Sequence, residues 1–495
     1  MSGHFGFQFN KTICRWSLIV GILLLGGCAS YGQKMNTTLG AARSGSLDVA
    51  LANIESSNSG IDKDLLYYLE KGELLRMKGD YALSRDTWLQ ADAKIRSWEE
   101  SVKIDPGKFL GKVGSFLLND TTRRYDGRDY EKVFVNVRLA LDYLALGNFD
   151  AARIEIKKMH EREAIIAEFR AKELESAKDE AQKKSLKATS FKDLKGYPVE
   201  TLDDPEVNAL KNSYESAFAN YLAGFVYEAL GEPSLASAGY RKAIEMRPNN
   251  STLENGLGGL DDRVSNVRRG KSGVDTLFVV ETGDAPAIAS QGFPISLPIP
   301  SKNGVNFVWI SLSWPVLQAV EPVLPSSVYV NDQAQPLALV TNVDQMARRA
   351  LADEMPGIIL RSSIRAIAKG AVQKQMQDNS SSLGMFGLLL SAASSVSAVV
   401  TEQADERTWR TLPGFYSIGR SVLAPGTHTV AIDTPSGRVV KNINVSGSHA
   451  VVVLRLMGNS LYLAQPTSAA TDDRMDTLKI PKNIEQSTVK KVRKI

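Results

Sequence analysis

Three stretches of this chain repeat one grammar, and that repetition restricts the fold more than any other feature. "LLYYLEKGELLRMKGDYALSRDTWLQADAKI" (65–95), "VNVRLALDYLALGNFDAARIEIKKM" (135–159) and "NYLAGFVYEALGEPSLASAGYRKAIEMRP" (220–248) each read as a helix, a turn at glycine and a second helix. Aligning the turn residues Gly79, Gly147 and Gly231 brings further columns into line. Seven residues earlier stand Gly72, Ala140 and Gly224; five later stand Ser84, Ala152 and Ala236. Nine later stand Trp88, Ile156 and Tyr240, and twelve later Ala91, Met159 and Ala243. Small residues let two antiparallel helices approach closely. The large residue is placed to fill the gap to the next pair, and Pro248 stops the last helix.

These columns resemble the tetratricopeptide repeat, and Gly72 and Ala140 are separated by two 34-residue periods. Between them "PGKFLGKVGSFLLNDTTRRYDGRDY" departs from the pattern, so the array is irregular; a generic helical bundle is the alternative. Either way residues 47–248 read as a scaffold or binding surface, since such stacks make grooves rather than reactive centres. A charged insertion, 161–205, lies inside this region. Its Glu/Lys pairs at helical spacing over 161–188 read as a solvated helix, or as a projecting hairpin with a partner of its own.

"NNSTLENGLGGLDDRVSNVRRGKSG" (249–273) is polar and rich in Gly, Asn and Ser, and reads as a linker. Its "GLGG" lacks the preceding strand and the Gly-Lys-Ser/Thr ending of a phosphate loop. From 274 the grammar changes to strands: "DTLFVVET", "VNFVWISLSW", "SSVYVND", and then a meander broken by "TPSG", "SGSH" and "GN". The stretch "LAPGTHTVAIDTPSGRVVKNINVSGSHAVVVLRL" resembles small β-sandwich modules of bacterial surface proteins. The fold class is therefore multidomain, α then β: an irregular repeat domain, then an antiparallel sandwich-like domain over 274–465. A helical insertion, 344–404, interrupts the strands. Its first part, 344–376, is amphipathic and basic, and "SLGMFGLLLSAASSVSAVV" (382–400) carries no charge. That run approaches the length of a membrane span, whereas its Ser, Ala and Gly content suits a buried or oligomer-facing helix. The final region, 466–495, is a basic tail, suited to anionic lipid or cell-wall polymer, or simply solvated.

The N-terminus carries Lys11 and Arg15, then the short apolar run "SLIVGILLLGG". Leu25, Gly26 and Gly27 before Cys28 resemble the bacterial lipobox. The resemblance implies a signal peptide over 1–27, cleavage before Cys28, lipidation of Cys28, and a tether over 28–46. Ala29 stands where inner-membrane retention would place Asp, so the implied location is the outer membrane, facing the periplasm. Cys14 and Cys28 are the two cysteines, which excludes a disulfide framework for the body. A formal net charge of +4 over 495 residues is too weak to argue for nucleic acid.

No catalytic constellation stands out: there is no Gly-x-Ser-x-Gly elbow and no His-Glu-x-x-His. The four histidines, His4, His160, His428 and His449, are scattered, so the sequence points to neither a metal nor a cofactor. His428 and His449 read as packing residues in strands. An enzyme acting on glycan would need paired carboxylates across a cleft, a pairing invisible in sequence. In "DERTWRTLPGFY" (405–416), Arg407, Trp409 and Arg410 are candidate partner contacts through stacking and cation–π attraction. Closure of a domain junction is the other reading. Together, "NDTTRRYDGRDYEKVFVNVRLALDYLALGNFDAARIEIKK" (119–158) and "DERTWRTLPGFYSIGRSVLAPGTHTV" (405–430) resemble an uncharacterised family of proteobacterial tetratricopeptide-containing outer-membrane lipoproteins. Tyr130, Glu131, Lys132 and the Gly147 turn look typical of it. The resemblance implies company with other envelope lipoproteins, including activators of peptidoglycan synthases and curli-type secretion components, and supplies no catalytic residue. The resulting expectation is a non-enzymatic, lipid-anchored scaffold binding other envelope proteins or lipoproteins. A homo-oligomer inserting 382–400 into the membrane is the alternative.

Overall fold

The computed structural model describes residues 31–58, 60–104, 124–183, 191–193, 197–270, 273–301, 304–321, 323–359 and 404–466. The lipobox-like Leu25, Gly26, Gly27 and Cys28, the apolar run 382–400 and the tail beyond 466 lie outside them. Among the described residues, no helix is long and apolar enough to cross a membrane. The chain is a helical repeat-like region followed by a region of mixed sheet.

Helices α1 (Tyr31–Arg43) and α2 (Leu47–Ser57) precede three helical hairpins. The first pairs α3 (Leu65–Lys78) with α4 (Tyr81–Ile104), and the second α5 (Asp129–Ala145) with α6 (Phe149–Lys183). A one-turn helix α7 (Pro205–Asn208) leads to the third, α8 (Ala217–Ala229) with α9 (Pro233–Met246). At the reversals Gly79, Gly147 and Gly231 have φ of 89°, 75° and 73°, the left-handed region in which a β-carbon is strained. The small-residue columns mark helix crossings. A β-carbon on Gly72 would lie 2.7 Å from the Trp88 ring, and one on Gly224 would lie 2.6 Å from Tyr240. The large residue thus closes on its own hairpin rather than filling the gap to the next pair. Ala140, Ala152 and Ile156 are buried in the second hairpin, and α9 ends at Met246, two residues before Pro248. Arg162 ties the first two hairpins together, reaching Asp92 at 2.7 Å and Glu99 at 2.6 Å on α4 and the Asn136 side chain on α5 at 2.6 Å.

Three segments differ from the sequence reading. The tether is helical from Tyr31 onward, because the polar run hides Met35, Leu39 and Ala42 at i, i+4, i+7, and these pack on Leu74 and Met77. The linker is two helices, α10 (Ser251–Gly258) and α11 (Leu260–Arg268). Asn250 caps the first through Thr252 N and Leu253 N, Leu253 and Leu260 are buried, and Gly256 makes room for the Tyr221 ring. The charged segment after 161 simply continues α6, and its first turns bury Arg162, Glu163 and Ile166 rather than standing in solvent.

The strands are β1 (Val274–Thr282), β2 (Ile288–Ser301), β3 (Gly304–Leu317), β4 (Ser327–Val330), β5 (Gln333–Pro336) and β6 (Ala338–Asn342). A helix, α12 (343–359), separates these from β7 (Phe415–Leu423), β8 (Gly426–Thr434), β9 (Gly437–Val445), β10 (His449–Met457) and β11 (Ser460–Ala464). They form a five-stranded sheet β11-β10-β1-β7-β6, a four-stranded sheet β5-β4-β8-β9, and the separate hairpin β2–β3, whose β2 carries Pro294, Pro298 and Pro300. The larger sheet is mixed, not antiparallel, because β1 and β10 run parallel, with Asp275 opposite His449. It is also the middle layer. Leu277, Val279, Val451 and Val453 face the helices, while Phe278, Val280, Val452 and Leu454 face Val328, Val430, Ile432 and Ile443 of the smaller sheet. Helices and middle sheet therefore share one core, with no linker between separate domains.

The tightest crossing yields a stability test. A β-carbon on Gly239 would sit 2.7 Å from Gly224 N and 2.9 Å from Asn220 O, backbone atoms that cannot rotate away. Gly239→Ala is expected to destabilise by about 2 kcal/mol or more. Gly40→Ala, on the exposed side of α1 with nothing within 4 Å, is expected to be neutral or stabilising by up to ~1 kcal/mol. Denaturant midpoints of the two variants check both.

Candidate functional site

A groove is what a helical repeat offers, so the inner helices α3, α5 and α8 are the place to look. All of α5 except Tyr143 is buried, as is all of α8 except Ala229. The covering surface belongs to the same chain. Tyr416 of β7 stacks between Phe134 of α5 (5.4 Å) and Phe218 of α8 (4.7 Å), and Phe225 meets the ring of His449 edge-on.

The segment before β7, irregular and bent at residues 410–412, fills the remaining space and is held by two carboxylates. Glu70 of α3 accepts from Arg410 N at 2.7 Å and Thr411 N at 2.9 Å. Glu131 of α5 accepts from Trp409 N at 2.7 Å, Thr408 Oγ1 at 2.9 Å and Tyr125 Oη at 2.5 Å, and from Arg128 N at 2.9 Å as half of a capping box. Trp409 is fully buried against Trp88, ring centroids 5.0 Å apart, and its indole N–H donates to Thr411 Oγ1. Of the candidate partner contacts, then, Trp409 and Arg410 are enclosed within the chain; Arg410 is 8% exposed. Arg407 pairs with Asp405 at 2.8 Å and lies over the Tyr125 ring. Tyr130, Glu131 and Lys132 are all buried, with the Lys132 ammonium 3.6 Å from the Trp98 ring centroid.

Two ionic knots fasten helices to sheet. Arg138 of α5, wholly buried, donates to Glu281 of β1 and to Tyr416 Oη at 2.5 Å, with Glu73 of α3 at 3.3 Å from its Nε. Beside it Arg76 pairs with Asp142 at 2.8 Å. Burial pushes the Glu73 carboxyl up against the pull of Arg138, and neither of its oxygens accepts a hydrogen bond. In the second knot Arg420 of β7 bridges Glu228 of α8 (2.8 Å) and Asp275 of β1 (2.7 Å), and Arg263 of α11 adds a 2.7 Å contact to Glu228. Glu228, Asp275 and His449 hold ligand atoms within 4.8 Å of one another, a spacing suited to a metal ion. Two guanidinium groups already supply the positive charge there, so the donor set is committed to arginine. Burial alone would raise the Glu228 carboxyl; His449, Arg263 and Arg420 outweigh it and hold the group well below the usual range. His428 lies outside this cluster: half-buried on the smaller sheet, it contacts Asn331 and Ala424 O.

Sequence reasoning missed Glu70, Glu131, Arg138, Glu228, Glu281 and Arg420 as interface residues. One signal was present: "VFVNVRLALDYL" is apolar around the whole helix yet contains Asn136, Arg138 and Asp142, which therefore had to be buried with counter-groups.

No family model and no curated protein matches the chain. Among solved structures, it is similar to a tetratricopeptide repeat protein from Parabacteroides merdae, at 12% identity, over 47% of this chain and 98% of that one. The TM-score is 0.13, too low for the likeness to carry an argument.

The carboxylate clamp is pH-sensitive. Burial raises the Glu70 carboxyl from 4.5 to about 7, despite the hydrogen bonds it accepts. The Tyr31 hydroxyl lies 2.8 Å from Glu70 Oε1 and 2.7 Å from Thr408 O, two acceptors for one hydrogen, and a proton on Glu70 satisfies both contacts. Between about pH 4.5 and 7 the folded state then holds the proton that the unfolded chain has released. Stability should fall by about 3 kcal/mol as pH rises through that window, and level off above it. Glu70→Gln, which cannot ionise, should show a flatter profile in denaturant titrations across the same range; coincident slopes would exclude Glu70 as the source.

Proposed function

We propose that this chain is a scaffold facing the periplasm, held at the outer membrane by lipid on Cys28, and that it binds other envelope proteins of cell-wall synthesis or secretion. The observation that carries this reading is how near Cys28 the described residues enter the folded body. Tyr31, three residues after Cys28, already opens α1 and is hydrogen-bonded into the body through Glu70 and the Thr408 carbonyl. Three residues span at most about 10 Å. A lipid on Cys28 would therefore hold the folded body itself against the bilayer, the arrangement of a platform rather than of a domain on a leash.

The helical hairpins support binding rather than chemistry, with one restriction. Their inner face is spent on the sheet and on residues 408–411, so partners are expected on other faces. Cys28→Ser should release the protein from membranes in fractionation. A mutant that stays firmly membrane-bound would move the anchor to 382–400. Cross-linking and pull-down of the full chain from solubilised outer membranes should recover specific envelope proteins, joined at sites away from α3, α5 and α8. Recovery of none would defeat the scaffold reading.

A further inference from the structure

A cavity of 400 Å³ opens beside the end of α1, between the loop after β1, the residues following β3 and the β10–β11 turn. That volume lies in the range of small-molecule sites. Small apolar residues, Ala285, Ala287, Ala319, Val320 and Gly458 among them, share its walls with polar ones such as Gln318 and Asn459. Arg410 also lines it.

Arg410 is exceptional among the buried arginines of the described residues, which are Arg76, Arg138, Arg162, Arg410 and Arg455. Arg76 has Asp142, Arg138 has Glu281, Arg162 has Asp92 and Glu99, and Arg455 has Asp284. The Arg410 guanidinium pairs with no carboxylate among the described residues. Its Nε donates to the Ala285 carbonyl at 3.2 Å, and its two terminal nitrogens have no hydrogen-bond acceptor there. Of the two acids in the wall, Asp284 is already divided between Arg455 at 3.0 Å on one oxygen and Arg43 at 2.5 Å on the other. Two guanidinium groups thus take up that carboxylate, and Glu321, exposed in the same wall, forms no ion pair among the described residues.

Arg410, 8% exposed and bordering the cavity with no carboxylate partner among the described residues, offers its planar fork to an oxyanion. We propose that this cavity binds a carboxylate, with Arg410 as its counter-ion and the alanine and valine wall receiving an apolar body. A monoanion suits the site better than a dianionic phosphate, since one guanidinium is unmatched and Asp284 repels a second charge. The carboxylate has two sources: a free short-chain acid, or the C-terminus of a peptide. The site does not depend on how the chain is anchored.

The test is calorimetric titration of the full chain with hexanoate, hexanamide, N-acetyl-Ala-Val, its C-terminal amide, and inorganic phosphate. At least one acid should bind saturably and at least about tenfold more tightly than its amide. Tighter binding by hexanoate identifies a free acid, and tighter binding by the dipeptide identifies a chain terminus. Arg410→Gln should lose about tenfold or more in acid affinity with unchanged far-ultraviolet circular dichroism, and Ala287→Trp, whose bulk would occupy the cavity that Ala287 lines, should abolish binding. The acid–amide comparison needs no variant, so misfolding of either mutant leaves it standing. Failure of both acids to bind, equal binding of acid and amide, or preference for phosphate would overturn the proposal.

Discussion

A guanidinium with no access to water fixes how helices and sheet fit together. Arg138 projects from an apolar helix face, and only Glu281, Glu73 and the Tyr416 hydroxyl meet its charge and its donors. Such a buried pair adds little net stability compared with a well-packed apolar substitute, but removing one member costs about 3–5 kcal/mol. The consequence is specificity of docking. Apolar faces alone would let α5 slide or rotate over β1; a shift of one residue in the strand would turn Glu281 away and strand the charge in the core. The Arg420 knot sets the same condition at α8 and β7, so the middle sheet is registered at two points.

The parts legible in the sequence were those governed by local rules. Glycine at a helix reversal is a steric requirement, and Gly79, Gly147 and Gly231 all meet it. The Gly72–Trp88 and Gly224–Tyr240 pairs were visible as columns because a close crossing needs absence on one helix and bulk on the other. What was not legible depended on distant residues. Alternation within β1 and β10 says which residues face which layer and nothing of strand direction, so their parallel pairing could not be read. The segment 249–273 reads as a linker because polar residues dominate its composition, yet Leu253 and Leu260 suffice to dock two short helices. Trp409 between two arginines looks the same in sequence whether it faces solvent or another tryptophan.

The repeat region also shows how far an architecture can depart from its usual use. Stacked hairpins present a concave surface, and here the chain supplies the occupant: a sheet over α5 and α8, and residues 408–411 bound through backbone N–H groups to Glu70 and Glu131. Carboxylates that grip main-chain amides do not depend on side-chain identity. Used internally, they make the insertion after β6 return to one defined place before β7 begins.

The prolines of the β2–β3 hairpin have a consequence of their own. Pro294, Pro298 and Pro300 share one parity in β2, and Pro315 of β3 is paired with Ser290, in the same phase of the ladder. A residue without N–H keeps a two-stranded ladder intact only where its nitrogen faces outward. The β2 rim of this ribbon therefore lacks donors at three positions and the β3 rim at one, and a third strand laid alongside would find gaps in its hydrogen bonding. A long ribbon of this kind would otherwise invite fibril-like stacking between molecules; its own backbone chemistry discourages that.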